Sequence, residues 1–116
     1  MSDDSTDEHT RLVDQNGLTR LFANRVRARI LVTLFYAEEP LPVPRIAEVA
    51  GVDQTVVHEA LDPLGAFDVI ETHRDGERPR YAVDADDDLA AALLRVAELA
   101  TERYHREDVE IPGPDE

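Results

Sequence analysis

Residues 45–61 read RIAEVAGVDQTVVHEAL, and this stretch decides the fold. Its first half places apolar residues at helical spacing and ends at Gly51, a residue type that often closes a helix in the left-handed conformation. Asp53 then suits the N-cap of a second helix, in which Val57 and Leu61 lie one turn apart. The pattern predicts two short helices joined by a tight turn.

Helices are also predicted before this stretch. Asn24 can cap a helix whose apolar stripe runs from Val26 to Leu34 in steps of four. That helix should end just before Pro40, because proline disfavours helical geometry in the preceding residue. The proline-rich segment that follows can supply only a short edge strand. A further helical segment is expected from Leu12.

After the second helix the apolar period changes to that of strands. The runs VIETHR at 69–74 and RYAV at 80–83 are β-branched or aromatic, and they flank the dipeptide DG at 75–76. Such a dipeptide between two strand-like runs is a strong hairpin signal. A last helix is expected over about 86–105, capped by Asp84 or Asp86. The fold class is therefore mostly α with a small β-hairpin.

Composition excludes several classes of protein. The chain of 116 residues has 26 acidic and 12 basic residues, giving a net charge of -14, and it contains no Cys. Such a chain repels a generic polyanion. The missing cysteines exclude disulfides, thiolate nucleophiles and Cys-ligated zinc. No apolar run approaches the roughly 20 residues of a membrane span, and the acidic start has no signal-peptide core. We therefore expect a cytoplasmic protein without a membrane partner.

All 12 basic residues are Arg, so the chain has no Lys. The composition resembles that of halophilic archaeal proteins, although a genome rich in Arg codons would also favour it. At 1 M salt the Debye length is roughly 3 Å, so repulsion among carboxylates costs little. The sequence thus predicts a protein that works in concentrated salt, with solvent cations as partners. Two stretches are nevertheless positive: residues 11–45 carry +3 and residues 74–80 carry +1.

Residues 24–83 resemble a winged helix-turn-helix domain of the ArsR/MarR/PadR-like regulator group. The similar segments are RIAEVAGV at 45–52 for the first helix and turn, DQTVVHEAL at 53–61 for the recognition helix, and DVIE at 68–71 with RDG at 74–76 and RPRY at 78–81 for the wing. The resemblance implies a homodimeric, sequence-specific transcription regulator of double-stranded DNA. In its acidic composition, the chain is similar to a haloarchaeal member of this group, such as a RosR-like oxidative-stress regulator.

This reading divides the chain into four segments: a disordered acidic tail over 1–9, the winged helix-turn-helix domain over 10–84, a C-terminal dimerisation helix over 85–108 and a disordered tail over 109–116. Three features depart from the family pattern. Asp68 stands where the group often has Gly. Pro63 lies inside the recognition helix, which we expect it to kink or end. That helix also carries acidic residues, Glu59 and Asp62, and no Arg.

Two sets of residues are candidates for DNA contact. Four lie on the recognition helix: Gln54, Thr55, His58 and Glu59. Gln can pair with adenine, Thr can touch a thymine methyl, and Glu can accept from cytosine N4. The others are cations suited to phosphates or a minor groove: Arg45, Arg74, Arg78 and Arg80. The alternatives are ordinary solvated surface for the first set and pairing with Asp75 and Glu77 for the wing arginines.

The remaining arginines of the first positive stretch are ambiguous. Arg25, Arg27 and Arg29 share one predicted helix, and we expect at least one of them to pair internally with a carboxylate. The terminal helix carries an apolar stripe beyond the wing, which predicts a two-fold dimer interface. The residues assigned to it are Leu18, Leu21, Phe22, Leu89, Leu93, Val96 and Ala100. Packing of the last helix back onto the first is the alternative.

Nothing in the sequence indicates catalysis or a bound cofactor. The two serines lie in the N-terminal tail, and no glycine-rich phosphate loop occurs. His105, near Glu102 and Asp108, is the best candidate metal ligand, but solvated surface explains it better, so no metal site is predicted. The chain is not expected to be an enzyme. The alternative function is a winged-helix module that binds protein instead of DNA, because its recognition helix is acidic.

Overall fold

The computed structural model describes residues 3–106. The elements in this range are α1 (Asp3–Gln15), α2 (Gly17–Leu21), α3 (Arg25–Tyr36), β1 (Leu41–Pro42), α4 (Val43–Ala50), α5 (Gln54–Ala66), β2 (Ile70–His73), β3 (Arg80–Val83) and α6 (Asp88–Tyr104). The predicted fold class is confirmed: the protein is mostly helical, with a small antiparallel sheet that forms a wing after the helix-turn-helix. None of the described helices has the length and apolar character needed to cross a membrane.

The core lies where α3, α4 and α5 meet beneath the sheet. Its most deeply buried side chains come from all three helices and from the segment before β2: Ile30, Ile46, Val57, Leu64 and Val69, each 0% exposed. Burying an aliphatic side chain of this size stabilises the folded chain by about 1.5–3 kcal/mol. The buried residues of α5 thereby determine which face of that helix is exposed to solvent.

The turn between α4 and α5 has the predicted conformation. Gly51 has φ +75°, and its N–H donates to the Ala47 carbonyl at 2.9 Å. Asp53 occupies the N-cap of α5 as expected, but its side chain makes no capping hydrogen bond. The angle between the two helices therefore depends on this glycine turn and on core packing.

Two arginines of α3 bond backbone carbonyls, and the expectation that at least one of Arg25, Arg27 and Arg29 pairs with a carboxylate stays a prediction. Arg29 Nε donates to the Ala50 carbonyl at 2.9 Å, at the C-terminus of α4. Arg27 Nη1 donates to the Arg20 carbonyl at 2.6 Å, at the end of α2. Helix C-termini leave carbonyls without intrahelical partners, and a guanidinium satisfies them well. Both arginines therefore connect α3 to a neighbouring helix.

The strand order is β1-β3-β2, with both pairings antiparallel. The predicted hairpin and the predicted short edge strand both occur, and the edge strand pairs Leu41 with Tyr81 on the central strand. Pro63 does not end α5, which continues to Ala66; this corrects the expected stop, while the expected kink stays a prediction. The chain then turns toward β2 at Asp68, which has φ +64° in the left-handed region.

The cap of α6 differs from the prediction by one to three residues. Asp87 is the N-cap, and its carboxylate accepts from the Ala90 N–H at 2.9 Å. Asp84, one of the two expected caps, accepts from the Asp86 N–H at 3.1 Å in the preceding turn. The helix therefore begins later than predicted because the first carboxylate of the acidic run holds the turn.

The N-terminal helix begins inside the expected tail. Helix α1 starts at Asp3, so it begins earlier than the helix expected from Leu12 and includes residues 3–9 of the segment assigned to the tail. Residues 3–9 contain no apolar residue, so hydrophobic periodicity gave no signal there. Side chains 6–20 are all exposed. The predicted tail over 109–116 lies outside the described residues, and the division into four segments stays a prediction.

Two residues assigned to a dimer interface are buried in the core of the single chain, and a third packs against that core. Leu21 and Leu93 are 1% and 8% exposed, and Phe22 is half-buried against the same core. Helical periodicity marks an apolar face but does not say which surface covers it. The other assigned residues are exposed: Leu18 and Val96 at 61%, Leu89 at 39%, and Ala100.

Candidate nucleic-acid interface

The outer face of α5 carries all four residues that the sequence assigned to base contact. Burial of Val57, Leu61 and Leu64 turns the opposite side of the helix toward solvent. The exposed residues are Gln54, Thr55, His58 and Glu59. They form two pairs with a spacing of four, so each pair lies on adjacent turns of one face. The helix can therefore present these side chains to a groove without disturbing its core.

A cleft separates the start of α5 from the wing, and we call it the reading cleft. Its volume is about 430 Å³, and its lining includes Gln54, His58, Arg78, Pro79 and Tyr81. Three residues predicted separately from sequence, two on the helix and one in the wing loop, thus share one concave surface. Thr55 and Glu59 lie on the same helix outside its lining.

The wing arginines differ in their partners. Arg80 Nη2 donates to Asp75 Oδ1 at 2.8 Å, as the pairing alternative anticipated. This hydrogen bond lowers the pKa of Asp75 below its usual value. Within residues 3–106, Arg74 and Arg78 make no ion pair. Both are exposed, so their charges are available to an anionic partner.

Arg45 lies apart from the reading cleft. Its Nη1 atom is 2.7 Å from Glu48 Oε1, one turn along α4. It also lines a separate depression that includes Glu38 and Glu39. The structure therefore pairs Arg45 with a carboxylate of its own helix and does not place it in the cleft that Arg78 lines.

Charge is divided between the two walls of the interface. The exposed face of α5 bears Glu59 and Asp62 and no Arg. The wing loop supplies Arg74 and Arg78. An approaching polyanion would therefore be attracted at the wing and repelled along the outer side of the helix, which restricts the orientation in which it can bind.

Sequence reasoning did not assign Tyr81 to the site. It lies on the central strand, opposite Leu41 and Thr72, and lines the reading cleft beside Arg78. An aromatic residue one position after a predicted wing arginine was a usable signal. Its position in the cleft depends on the pairing of β1 with β3, which the local pattern does not define.

A metal centre finds no support in the part of the chain described. No group of three or more His, Asp or Glu side chains there could hold an ion. The ring of His105, the best candidate from sequence, lies edge-on to Tyr104 with the centroids 5.3 Å apart. Asp108, its suggested companion, is outside the described range.

No protein-family model matches the chain, and no curated protein matches it at a significant level. Solved structures do. The transcriptional repressor BigR from Xylella fastidiosa has a TM-score of 0.64 and 18% identity, covering 88% of this chain and 98% of that one. The homodimeric winged helix-turn-helix DNA-binding domain Mb0332 from Mycobacterium bovis has a TM-score of 0.61 and 20% identity, covering 97% of each.

NolR from Sinorhizobium fredii is also similar, with a TM-score of 0.61, 23% identity, and coverage of 87% of this chain and 92% of that one. Structural neighbours of the chain are thus transcriptional regulators with winged helix domains. At these identities the likeness concerns the fold. The chain has the winged helix-turn-helix fold along nearly its whole described length.

Proposed function

We propose that the protein is a sequence-specific, DNA-binding transcription regulator that acts as a homodimer. The observation that carries the proposal is the reading cleft, where Gln54 and His58 of α5 share a surface with Arg78 of the wing. Amide and imidazole groups can hydrogen-bond base edges, and an Arg without an internal partner can meet a phosphate. Helix and wing together match the two contacts that this fold offers to a duplex.

The proposed mechanism assigns a separate task to each wall of the cleft. Helix α5 enters the major groove with its N-terminal end, where Gln54 and Thr55 lie. Arg74 and Arg78 neutralise phosphates beside the groove and fix the register of the protein on the duplex. Glu59 accepts from a cytosine amino group or repels other sequences.

The dimer is proposed from apolar surface that the single chain leaves exposed. The residues concerned lie on α1, α2 and α6: Leu12, Val13, Leu18, Leu89, Leu94, Val96 and Tyr104, each at least 39% exposed. Helix α1 packs against α2, and its side chains from Thr6 onward are all exposed, so we assign the covering of its apolar side to a partner subunit. A two-fold axis through these helices would set the two α5 helices about one DNA turn, roughly 34 Å, apart.

The composition supports a further part of the proposal, that the protein works in the salty cytoplasm of a haloarchaeon. The net charge of -14 and the absence of Lys are the basis for it. Solvent cations would then be partners at the acidic face of α5. A role in stress responses, as in the RosR-like regulators, rests on the same compositional likeness.

In vitro selection tests the main proposal. A random duplex library is incubated with the protein in concentrated KCl, and bound duplexes are amplified and sequenced over several rounds. We expect a pseudo-palindromic motif with half-sites one helical turn apart. A library that stays random after selection, with protein shown to be folded by circular dichroism, would overturn the assignment.

A protein-binding module is the second candidate, and the acidic outer face of α5 favours it. Charge separates the two functions. Neutralising Arg74, Arg78 and Arg80 together should abolish DNA binding by a regulator. A protein-binding module that uses the acidic helix would be indifferent to the same change.

A further inference from the structure

A cavity on the other side of the sheet is unrelated to the reading cleft. It lies between the end of α3, the loop that follows, strands β2 and β3, and the start of α6, and its volume is about 470 Å³. Phe35, Val83 and Leu94 belong to its apolar wall. A cavity of this size falls within the range of about 300–1,000 Å³ typical of small-molecule sites.

The polar part of the lining is acidic. Glu38 and Glu39 come from the loop after α3, and Glu71 comes from β2. None of the described residues lining the cavity is an Arg. Among them the one other ionisable side chain is His73, whose Nε2 lies 3.2 Å from Glu71 Oε2. Three exposed carboxylates therefore border the apolar cavity, and the permanent cation nearest to two of them, Arg45, lies in the separate depression that Glu38 and Glu39 also line.

We propose that this cavity binds an organic cation with a bulky apolar body. The carboxylates attract the charge, and they do so more strongly beside an apolar wall than in open water. The half-buried ring of Phe35 offers an aromatic surface to such a cation. The apolar wall takes the body of the ligand. A bare metal ion would leave that wall uncovered, and no cluster of ligands for one occurs among residues 3–106.

The cavity touches both the wing and α6. Its occupant would contact the strands that carry the wing loop and also the helix that we assign to the dimer. This consequence rests on the proposed function. Under that function the ligand is an effector, and its binding changes the position of the wing relative to the dimer interface. The binding itself does not depend on that function.

Isothermal titration without DNA tests the binding. The probe is tetraphenylphosphonium, titrated into the full chain in 1 M NaCl, where the Debye length of about 3 Å suppresses attraction by distant carboxylates. Tetraphenylborate has nearly the same shape and the opposite charge. We expect saturable binding of the cation at one site per chain and at least tenfold weaker binding of the anion. Equal binding of the two ions, or no binding of the cation, would overturn the proposal.

Variants locate the site. Glu38→Gln with Glu71→Gln should weaken cation binding at least tenfold, while Asp14→Asn with Glu102→Gln makes the same change of charge outside the cavity and should leave binding unchanged. Ala91 is exposed on α6 and lines the cavity, so Ala91→Trp should block it without touching the core. Circular dichroism checks that each variant is folded. Equal losses in the two double variants, or full binding by Ala91→Trp, would refute the assignment to this cavity.

Discussion

Arg80 Nη2 and Asp75 Oδ1 lie 2.8 Å apart, so one hydrogen-bonded ion pair closes the wing loop across its base. The carboxylate of Asp75 holds the guanidinium of Arg80, which a DNA phosphate would attract in the proposed complex. Arg78, two residues earlier, has no such partner in the described chain. The wing thus contains one engaged and two available arginines, although its sequence presents all three alike.

Removing the competing carboxylate should tighten DNA binding. Asp75→Asn removes a negative charge from the wing and weakens the hold on Arg80, which can then reach a phosphate. Exposed ion pairs contribute little, so the affinity gain should be no more than about fivefold. Fluorescence anisotropy with a selected operator measures it. Glu77→Gln makes the same change of charge without breaking the pair, and an equal gain there would show that net charge alone is responsible.

The pair also predicts how Asp75 titrates. Its pKa is lowered in the folded chain, first of all by the hydrogen bond from Arg80. Carboxylate NMR should place the midpoint below the usual value of about 3.9. Any stabilisation from the pair is then present above that usual value and is lost as the pH falls through the lowered pKa. Arg80→Gln should return the midpoint to the usual range, and an unchanged midpoint would contradict the stated cause.

Substitutions of Arg78 and Gln54 should impair DNA binding in different ways. Arg78→Ala removes a phosphate contact, so it should weaken binding to all sequences by a similar factor. Gln54→Ala should relax preference at particular base pairs, by about 1–3 kcal/mol at each. Arg95→Ala, on α6, is the matched change of charge and should have little effect. Competition titrations with operator mutants measure both quantities, and a purely sequence-selective loss for Arg78→Ala would refute this division of tasks.

The exposed apolar residues make the dimer testable without unfolding the chain. Leu18→Glu with Val96→Glu places charges on two side chains that are each 61% exposed, so the protomer should stay folded while the dimer separates. Light scattering should then report a monomer. Leu93→Ala is the contrasting change: it opens a cavity in the core and should cost about 2–5 kcal/mol of stability. A double variant that remains dimeric would place the interface elsewhere.

Local chemistry is what made the fold predictable. Gly51 and the apolar spacing around it specify the helix-turn-helix within a few residues of chain, and the DG turn specifies the hairpin. Leu93 shows a limit of such prediction, because the sequence pattern of an apolar stripe is the same whether its own chain or a partner covers it. Arg80 and Arg78 show a second limit, since loop conformation decides which of them meets Asp75.

The salt dependence of DNA affinity should show the effect of the acidic face of α5. Ordinary DNA-binding proteins lose affinity in salt, with a log–log slope of about -0.9 per phosphate neutralised. Exposed Glu59 and Asp62 would instead retain cations against the DNA, and their uptake opposes that release. We expect a shallow or positive slope between roughly 0.5 and 2 M KCl, where the Debye length is only a few Å.

Glu59→Gln with Asp62→Asn should make the slope more negative. Operator titrations at several KCl concentrations compare the variant with the parent chain. A steep loss of affinity in both proteins would return the two carboxylates to the role of solvated surface.

The bond from Arg29 to the Ala50 carbonyl has a consequence for how such a protein is switched. It fastens α3 to the end of α4 at the residue before the glycine turn, so the turn that aims α5 cannot hinge independently of the scaffold behind it. We therefore expect the three helices to move as one block. In the proposed dimer a signal would then alter the spacing and mutual rotation of two such blocks, while the orientation of each recognition helix within its own protomer would stay constant.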